Sequence, residues 1–170
     1  MTEIKTQIED GFLSLLYAEY MKDKNMERGN PYWGQIKRDF SKVYTNEIPC
    51  YIHLEKAGVS LYEGYQYDVR LLLGYLVSNG VITFSNGISI GAALKQMDRK
   101  EVDLNFILNA NEYQLVQEIK NLVGLMRANK VRLNAFNFIR DLYNWTSQET
   151  NSNKNWVRKM WVRDYMNKVG

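Results

Sequence analysis

The 170-residue sequence is poor in the two residues on which nucleophilic and metal chemistry most often depend. It contains one cysteine, Cys50, and one histidine, His53. A single cysteine cannot close a disulfide within the chain, and this usage is typical of the reducing cytoplasm, where we expect the protein to reside. The sequence contains neither a Cys/His cluster with zinc spacing nor a DxDxDG calcium loop. We therefore predict no metal site and no cofactor.

Catalytic constellations are missing as well. His53 lies in the apolar segment IPCYIHLEK (48–56), which favours a structural histidine over a general base. The segment GISIGAAL (87–94) is rich in glycine but lacks the Gly-Lys-Ser/Thr of a phosphate loop. A turn at Gly87 and close helix packing at Gly91 explain these glycines better than phosphate binding does. We predict that the chain is not an enzyme and has no catalytic residues.

Prolines and long apolar runs are also scarce. No run approaches the roughly 20 residues that a membrane-spanning helix needs, and the opening MTEIKTQIEDGF lacks the apolar region of a signal peptide. We therefore expect no membrane partner. Only Pro31 and Pro49 occur, and 45% of the residues are hydrophobic. Because apolar residues recur with a 3.6-residue period, we predict an all-α protein of about eight to nine helices.

The helical pattern divides the chain into two stacked bundles. The first bundle comprises residues 1–82, with predicted helices over 3–22, 32–43, 48–56 and the strongly apolar 65–79. The second comprises residues 83–170, with predicted helices over 88–97, 102–109, 112–127, 133–145 and from about 154 onward. The boundary near residues 80 to 88 is soft, so we expect one compact unit.

Two local features of the second bundle can be predicted from residue type and spacing. Asp98 is a candidate N-cap for the helix that follows it. The helix over 133–145 should bury Phe136 and leave Asp141 and Asn144 outward, because this assignment keeps the apolar residues on one face.

Acidic residues become rare in the second half of the chain. Residues 1–85 contain 9 Lys and Arg against 11 Asp and Glu, whereas residues 86–170 contain 13 against 8. From residue 120 onward the counts are 10 and 3. Such asymmetry points to an anionic partner, of which nucleic acid is the commonest, although a solvated basic surface would give the same counts.

The densest group of cations without acids is RANKVR (127–132). Arg127, Lys130 and Arg132 stand within six residues, between two helical patterns. Cations of this kind neutralise phosphates and displace counterions. The sequence contains no zinc finger, no RNP aromatic pair and no helix-turn-helix with a polar recognition face. We therefore expect contact with the nucleic-acid backbone without sequence readout.

The segment NWVRKMWVRDYM (155–166) interleaves aromatic and basic residues. In a helix, steps of 100° place Lys159 and Arg163 about 40° apart on one face. The rings of Trp161 and Tyr165 occupy a neighbouring arc, where we expect core packing in preference to base stacking. The basic face is then left for solvent or phosphate.

Four segments, taken in order, resemble one known family. They are GQIKRDFSKVYTNEIPCYIHLEK (34–56), GISIGAALKQM (87–97), LVQEIKNLVGLM (115–126) and WVRKMWVRDYM (156–166). Their order and spacing are similar to those of CasB, the small subunit of the type I-E CRISPR surveillance complex Cascade. The likeness covers most of the chain beyond about residue 30.

The resemblance implies a non-catalytic, all-helical subunit of an antiviral ribonucleoprotein. In such complexes two copies of the small subunit associate along the crRNA-bearing backbone. They help to hold the duplex of guide RNA and target DNA together with the displaced DNA strand. The partners implied are the other Cascade subunits, crRNA, target DNA, the displaced strand and a second copy of the chain.

The resemblance also supports particular cations. Lys37 and Arg38 match a basic pair of the family, Lys120 matches the basic residue of its leucine-rich helix, and Arg158 and Arg163 match basic positions of its closing motif. Together with the cations found from charge pattern, the candidate nucleic-acid-binding residues are Lys37, Arg38, Lys120, Arg127, Lys130, Arg132, Arg158, Lys159 and Arg163.

The chain departs from the family pattern at several positions. Some members carry arginines where this chain has Asn109, Asn111 and Glu112, and Asn121 replaces a second basic residue beside Lys120. These departures weaken the case for a displaced-strand contact at those positions. RANKVR is a candidate source of compensating charge.

The same basic residues are also compatible with binding to proteins instead of nucleic acid. A helical protein-interaction adaptor would use basic faces to contact acidic protein partners. Binding to single-stranded DNA separates the two hypotheses, because an adaptor should bind little of it even at low salt.

Overall fold

The computed structural model describes residues 10–60, 64–145 and 152–167. Over these residues it contains nine helices and two short strands, which confirms the predicted all-α class. No helix in these ranges is both long and apolar enough to cross a membrane. The chain forms two compact units, one within residues 9–80 and one within residues 81–170.

The first unit consists of four helices. They are α1 (Gly11–Asn25), α2 (Pro31–Ser41), α3 (Ile48–Lys56) and α4 (Tyr65–Ser78). Residues 3–9 of the predicted first helix lie outside the described residues. Asp10 caps α1 by accepting a hydrogen bond from the amide of Leu13 at 2.8 Å, and Asn30 caps α2 ahead of Pro31. Both caps act through local hydrogen bonds. The predicted second helix begins within one residue of α2, whereas the predicted first helix ran through the extended Asp10 that precedes α1.

The core of the first unit is built on α2 and α4, which pack against each other. Gly74 permits this close approach, because an added Cβ would lie 2.1 Å from the ring of Phe40. The buried Arg70 guanidinium contacts the Asp10 carboxylate at 2.6 Å and so ties α4 to the start of α1. A buried charge needs such a partner. The largest fully buried apolar side chains are Phe12, Leu16, Ile36, Phe40, Leu54, Leu72, Leu73 and Leu76.

The second unit contains five helices and a small parallel sheet. Its elements are β1 (Ile82–Thr83), α5 (Ile90–Gln96), α6 (Glu101–Leu108), α7 (Glu112–Ala128), β2 (Leu133–Asn134), α8 (Ala135–Trp145) and α9 (Ser152–Met166). Ile82 pairs with Leu133 and Thr83 with Asn134. The predicted helix over 133–145 therefore begins two residues later than expected, because its first residues join a strand pair that is distant in sequence.

Three further local predictions were wrong. Asp98 does not cap α6: its φ of 58° places it in the turn after α5, and Lys100 is the N-cap, with its amide donating to the Asp103 carboxylate at 3.1 Å. Phe136 is 43% exposed, whereas Asp141 and Asn144 are buried. The face of α8 that meets the core is thus rotated from the face that hydrophobicity indicated.

Two tryptophans form the centre of the second unit. Trp145 and Trp161 stack with ring centroids 4.9 Å apart. Trp161 Nε1 donates to Asp141 Oδ2 at 3.0 Å, and Trp145 Nε1 donates to the Ala110 carbonyl at 3.2 Å. Each buried indole N–H therefore has an acceptor, as burial requires. Core packing is confirmed for these rings.

Candidate nucleic-acid interface

Helix α9 separates its apolar and basic side chains as predicted. Val157, Trp161 and Tyr165 recur every four residues and are buried. Lys159 and Arg163 are exposed. Because the rings fix the helix in the core, the basic side chains project from a rigid element.

Lys154, which was not among the sequence candidates, lies in the first turn of α9, one helical turn before Arg158. Its Nζ donates to the Ala110 carbonyl at 3.0 Å and lies 5.0 Å from the ring centroid of Trp145. Burial, with a smaller contribution from the positive charge of Arg158, lowers the pKa of Lys154. Lys154 therefore anchors the start of α9 and adds positive charge to its surroundings.

Arg158 has neutral hydrogen-bond partners. Its Nη1 donates to the amide oxygen of Asn155 at 3.0 Å, and its Nη2 lies 3.4 Å from the amide oxygen of Asn109. The departure from the family pattern at Asn109 thus positions an arginine. Neither contact neutralises the guanidinium charge. Lys154, Arg158 and Lys159 are called the α9 cluster below.

A surface groove of about 440 Å³ runs beside the α9 cluster. Leu108 and Val162 supply apolar lining, and Asn155, Arg158 and Lys159 supply polar lining. None of these five residues is acidic. The groove can therefore accept an apolar surface that carries negative charge at its edge.

Arg163 differs from its neighbours because it has an acidic partner. Its guanidinium lies 3.2 Å from the Asp164 carboxylate. The other oxygen of Asp164 accepts a hydrogen bond from Ser89 Oγ at 2.7 Å, and Ser89 caps α5. Part of the Arg163 charge is thus compensated, so Arg163 is a weaker candidate for a phosphate contact.

The cations of RANKVR gather around the end of α7. Arg127, Lys130 and Arg132 are all exposed. Lys130 has a φ of 54°, so the chain turns sharply there, and the Arg132 carbonyl accepts from the Ile88 amide at 3.0 Å. The backbone that carries these cations is therefore held in place. Arg127, Lys130 and Arg132 are called the α7-end cluster below.

Two more lysines relate to the α7-end cluster. Lys120 is half-buried on α7, and its spacing of seven residues from Arg127 puts the two within about 20° of each other around the helix. Gln96 donates to the Asn129 carbonyl at 3.5 Å, which brings the end of α5 beside the cluster. The exposed Lys95 precedes Gln96, and its own Nζ lies 5.4 Å from the ring centroid of Tyr165. Lys95 was missed by the sequence analysis, since only the contact between Gln96 and Asn129 brings it near RANKVR.

Lys37 and Arg38 lie on the exposed side of α2 in the first unit. Lys37 Nζ is 5.8 Å from the ring centroid of Trp33. Arg38 donates to the Gln35 amide oxygen at 2.9 Å, and Gln35 donates to Asp39 at 2.8 Å. Both cations are accessible to an anionic partner.

His53 is a structural residue, as predicted. It is 3% exposed, its Nδ1 is 2.9 Å from the Tyr32 hydroxyl, and its Nε2 is 2.6 Å from Asp39 Oδ2. Both ring nitrogens are thus engaged. Burial raises the pKa of the Cys50 thiol to about 12, so at neutral pH it stays protonated and unreactive.

The described ranges contain no group of three or more His, Cys, Asp or Glu side chains that could hold a metal ion. Over residues 86–170, Lys and Arg outnumber Asp and Glu by 13 to 8. Fixed guanidinium and ammonium groups attract phosphates through charge without reading base sequence.

Comparison with known families gives a match over more than half of the chain. The model of the family described as CRISPR-associated protein Cse2 matches residues 63–166. This range contains seven of the nine candidate cations and leaves out Lys37 and Arg38. No curated protein and no solved structure gives a match.

Proposed function

The chain belongs to the CRISPR-associated protein Cse2 family, the small subunits of type I-E Cascade complexes, and from that membership we propose a non-catalytic, nucleic-acid-binding role for it. In this proposal the chain contacts the sugar-phosphate backbones of the crRNA–target duplex and of the displaced DNA strand. It reads no sequence. A second copy of the chain and the other Cascade subunits are its protein partners.

The observation that carries this proposal is the electrostatic state of the α9 cluster. Arg158 bonds to two neutral amide oxygens, and Lys159 is exposed on a rigid helix. Their charge is available to a phosphate, since neither contact of Arg158 is to an acid. The α7-end cluster adds three exposed cations to the same unit. Arg163, paired with Asp164, contributes less.

Modest backbone contacts are sufficient for such a role. Replacing a DNA duplex by an RNA–DNA duplex is nearly balanced in free energy, as has been argued for Cas9-type enzymes. A protein that adds a few phosphate contacts therefore shifts the balance toward strand exchange. The displaced strand needs a cationic surface and no base-specific pocket.

The test is reconstitution with the other subunits and a guide RNA. We expect the chain to copurify with the ribonucleoprotein and to increase the yield of strand-exchanged target. The double variant Arg158→Gln, Lys159→Gln should enter the complex but reduce that yield, most strongly at low salt. The control Lys24→Gln, Arg28→Gln makes the same charge change on exposed residues of the first unit. Absence of the chain from the purified complex, or equal yields from both double variants, would contradict the proposal.

A specific observation also favours the alternative of a protein-interaction adaptor. Ile48 and Ile52 on α3 are 70% and 59% exposed, and Ile52 lines a groove of about 410 Å³ with Tyr51, Glu55 and Lys56. Exposed apolar patches of this kind mark protein contacts. Negligible binding of single-stranded DNA, both by the chain and by its complex at low salt, would favour the adaptor.

A further inference from the structure

The groove beside the α9 cluster has more apolar surface than a site for phosphate alone requires. Leu108 and Val162 line it together with Asn155, Arg158 and Lys159. A phosphodiester is polar on every side, so it gains nothing from the leucine and valine. The mixture fits a ligand that is flat and apolar in one part and anionic in another.

Helix α6 adds an exposed aromatic ring near this groove. Phe106 is 58% exposed and precedes Asn109 by one helical turn on the same face. Asn109 in turn contacts Arg158. Single-stranded nucleic acids stack their bases on exposed aromatic rings, while cations of a neighbouring groove contact the backbone.

The charges favour a nucleic-acid strand over an apolar peptide as the occupant. Among the described residues that line the groove, two are cations and none is an acid. Burial and the repulsion by Arg158 lower the pKa of Lys154 beside the groove, while Glu112 acts in the opposite direction. A bound phosphate relieves this repulsion, whereas a neutral apolar peptide leaves it in place.

We propose that this groove and Phe106 bind unpaired bases of single-stranded DNA, with a base against Val162, the next base on Phe106, and the intervening phosphate at Arg158 and Lys159. The inference rests on the proposed function and extends it from the backbone to the base faces. A duplex stacks its bases internally, so the site selects an unpaired strand over a paired one. Because every base has a flat face, this selection requires no particular sequence.

The experiment compares binding of an oligothymidylate of about 16 nucleotides with binding of a duplex of equal length, over a series of salt concentrations. We expect Phe106→Ala to weaken single-strand binding about 5- to 150-fold, the range found when a stacking ring is removed. Duplex binding should stay unchanged. The slope of log affinity against log salt should also stay unchanged, since no phosphate contact is lost.

Matched variants separate stacking from general apolar character. Phe106→Trp should restore or tighten binding, whereas Phe106→Leu should behave like Phe106→Ala. Val162→Gln should weaken single-strand binding without changing the salt slope. Val102→Ala, at a 68% exposed position one turn before Phe106, should bind as the wild type does, and circular dichroism should show the same helix content in all variants.

The outcomes distinguish this inference from the function on which it rests. If Arg158→Gln, Lys159→Gln lowers the salt slope while the Phe106 and Val162 variants bind normally, the inference is wrong and the backbone role stands. If no variant alters binding, both fail. If the Phe106 variants bind DNA normally but no longer copurify with the other subunits, the surface contacts protein and the inference is overturned.

Discussion

Gly91 lies directly against the main chain of Trp161. A Cβ added at Gly91 would be 2.1 Å from the Trp161 carbonyl oxygen and 2.7 Å from its Cα. The glycine-rich segment that follows β1 thus serves the packing of α5 on α9. This contact holds in place the helix that carries the α9 cluster.

Gly91→Ala should lower the free energy of unfolding by about 3 kcal/mol, at the upper end of overpacking costs, because the obstructing atoms belong to backbone. Denaturant unfolding measures the effect. Gly124→Ala is the matched control, since nothing lies within 4 Å of its added Cβ; alanine there should stabilise α7 by about 0.5–1 kcal/mol. Equal effects of the two changes would contradict the packing argument.

The buried Asp141 makes stability depend on pH. Burial raises the pKa of Asp141 above its ordinary value of 3.8, against the opposing effects of Arg140 and the Trp161 hydrogen bond. The folded state therefore keeps a proton that the unfolded state releases. Its contribution to stability is complete below the unfolded pKa and is lost as pH rises through the folded pKa.

Asp141→Asn removes this titration. The free energy of unfolding of the wild type minus that of the variant should therefore decrease as pH rises above the ordinary pKa of 3.8 and through the raised pKa of the folded state. Urea titrations at fixed pH values measure both proteins. A difference that stays constant or increases would show that the folded pKa is not raised.

His53→Ala should destabilise the first unit by about 2–4 kcal/mol, because it leaves the Tyr32 hydroxyl and Asp39 without a buried partner and opens a cavity. Glu55→Ala, at an exposed position on the same helix, should change stability by less than about 0.5 kcal/mol. Denaturant titrations measure the free energy of unfolding of both variants. A neutral His53→Ala would contradict the structural role of the histidine.

The α7-end cluster should account for part of the salt dependence of DNA binding. Changing its three cations to glutamine should reduce the slope of log affinity against log salt by about 2 for a single strand, at about 0.7 per phosphate contact. Fluorescence anisotropy with a labelled oligonucleotide measures the slope. The control changes Lys22, Lys24 and Arg28 to glutamine in the first unit, and an equal reduction there would indicate only a general charge effect.

Lys37→Ala with Arg38→Ala should weaken target binding by the assembled complex, with the largest deficit at low salt, where phosphate contacts are strongest. Gln35→Ala keeps both charges and removes only the exposed hydrogen bonds that Gln35 makes with Arg38 and Asp39, so it should change affinity by no more than about twofold. Filter binding across a salt series measures these differences. A deficit that does not vary with salt would argue against a phosphate contact.

Several elements could be predicted from local sequence. The bounds of α2, α3 and α7 agree with the predicted helices to within about two residues, because proline, asparagine caps and amphipathic period act within one or two turns. The exposed positions of Lys159 and Arg163 followed from the same period. The structural role of His53 followed from its apolar neighbours.

The wrong predictions involve contacts between residues distant in sequence. Asp141 is buried because Trp161 donates a hydrogen bond to it, and no pattern within α8 indicates that partner. The neighbouring Arg140 lies 5.2 Å from the Trp156 ring centroid on another helix, which no pattern within α8 indicates either. The neutral surroundings of Arg158 depend on Asn109 in another helix. Lys95 and Lys154 became relevant only through Asn129 and Ala110.

The sequence alone therefore determined the helix positions, the all-α class and the excess of positive charge in the second half. Helices depend on residues that are near in sequence, and the charge excess follows from the numbers of basic and acidic residues. Packing decided three other properties. It determined which cations have no acidic neighbour among the contacts described, which face of α8 is buried, and where a groove forms. Those properties depend on the distances between side chains that the chain brings together from separate helices, and residue order alone does not specify such distances.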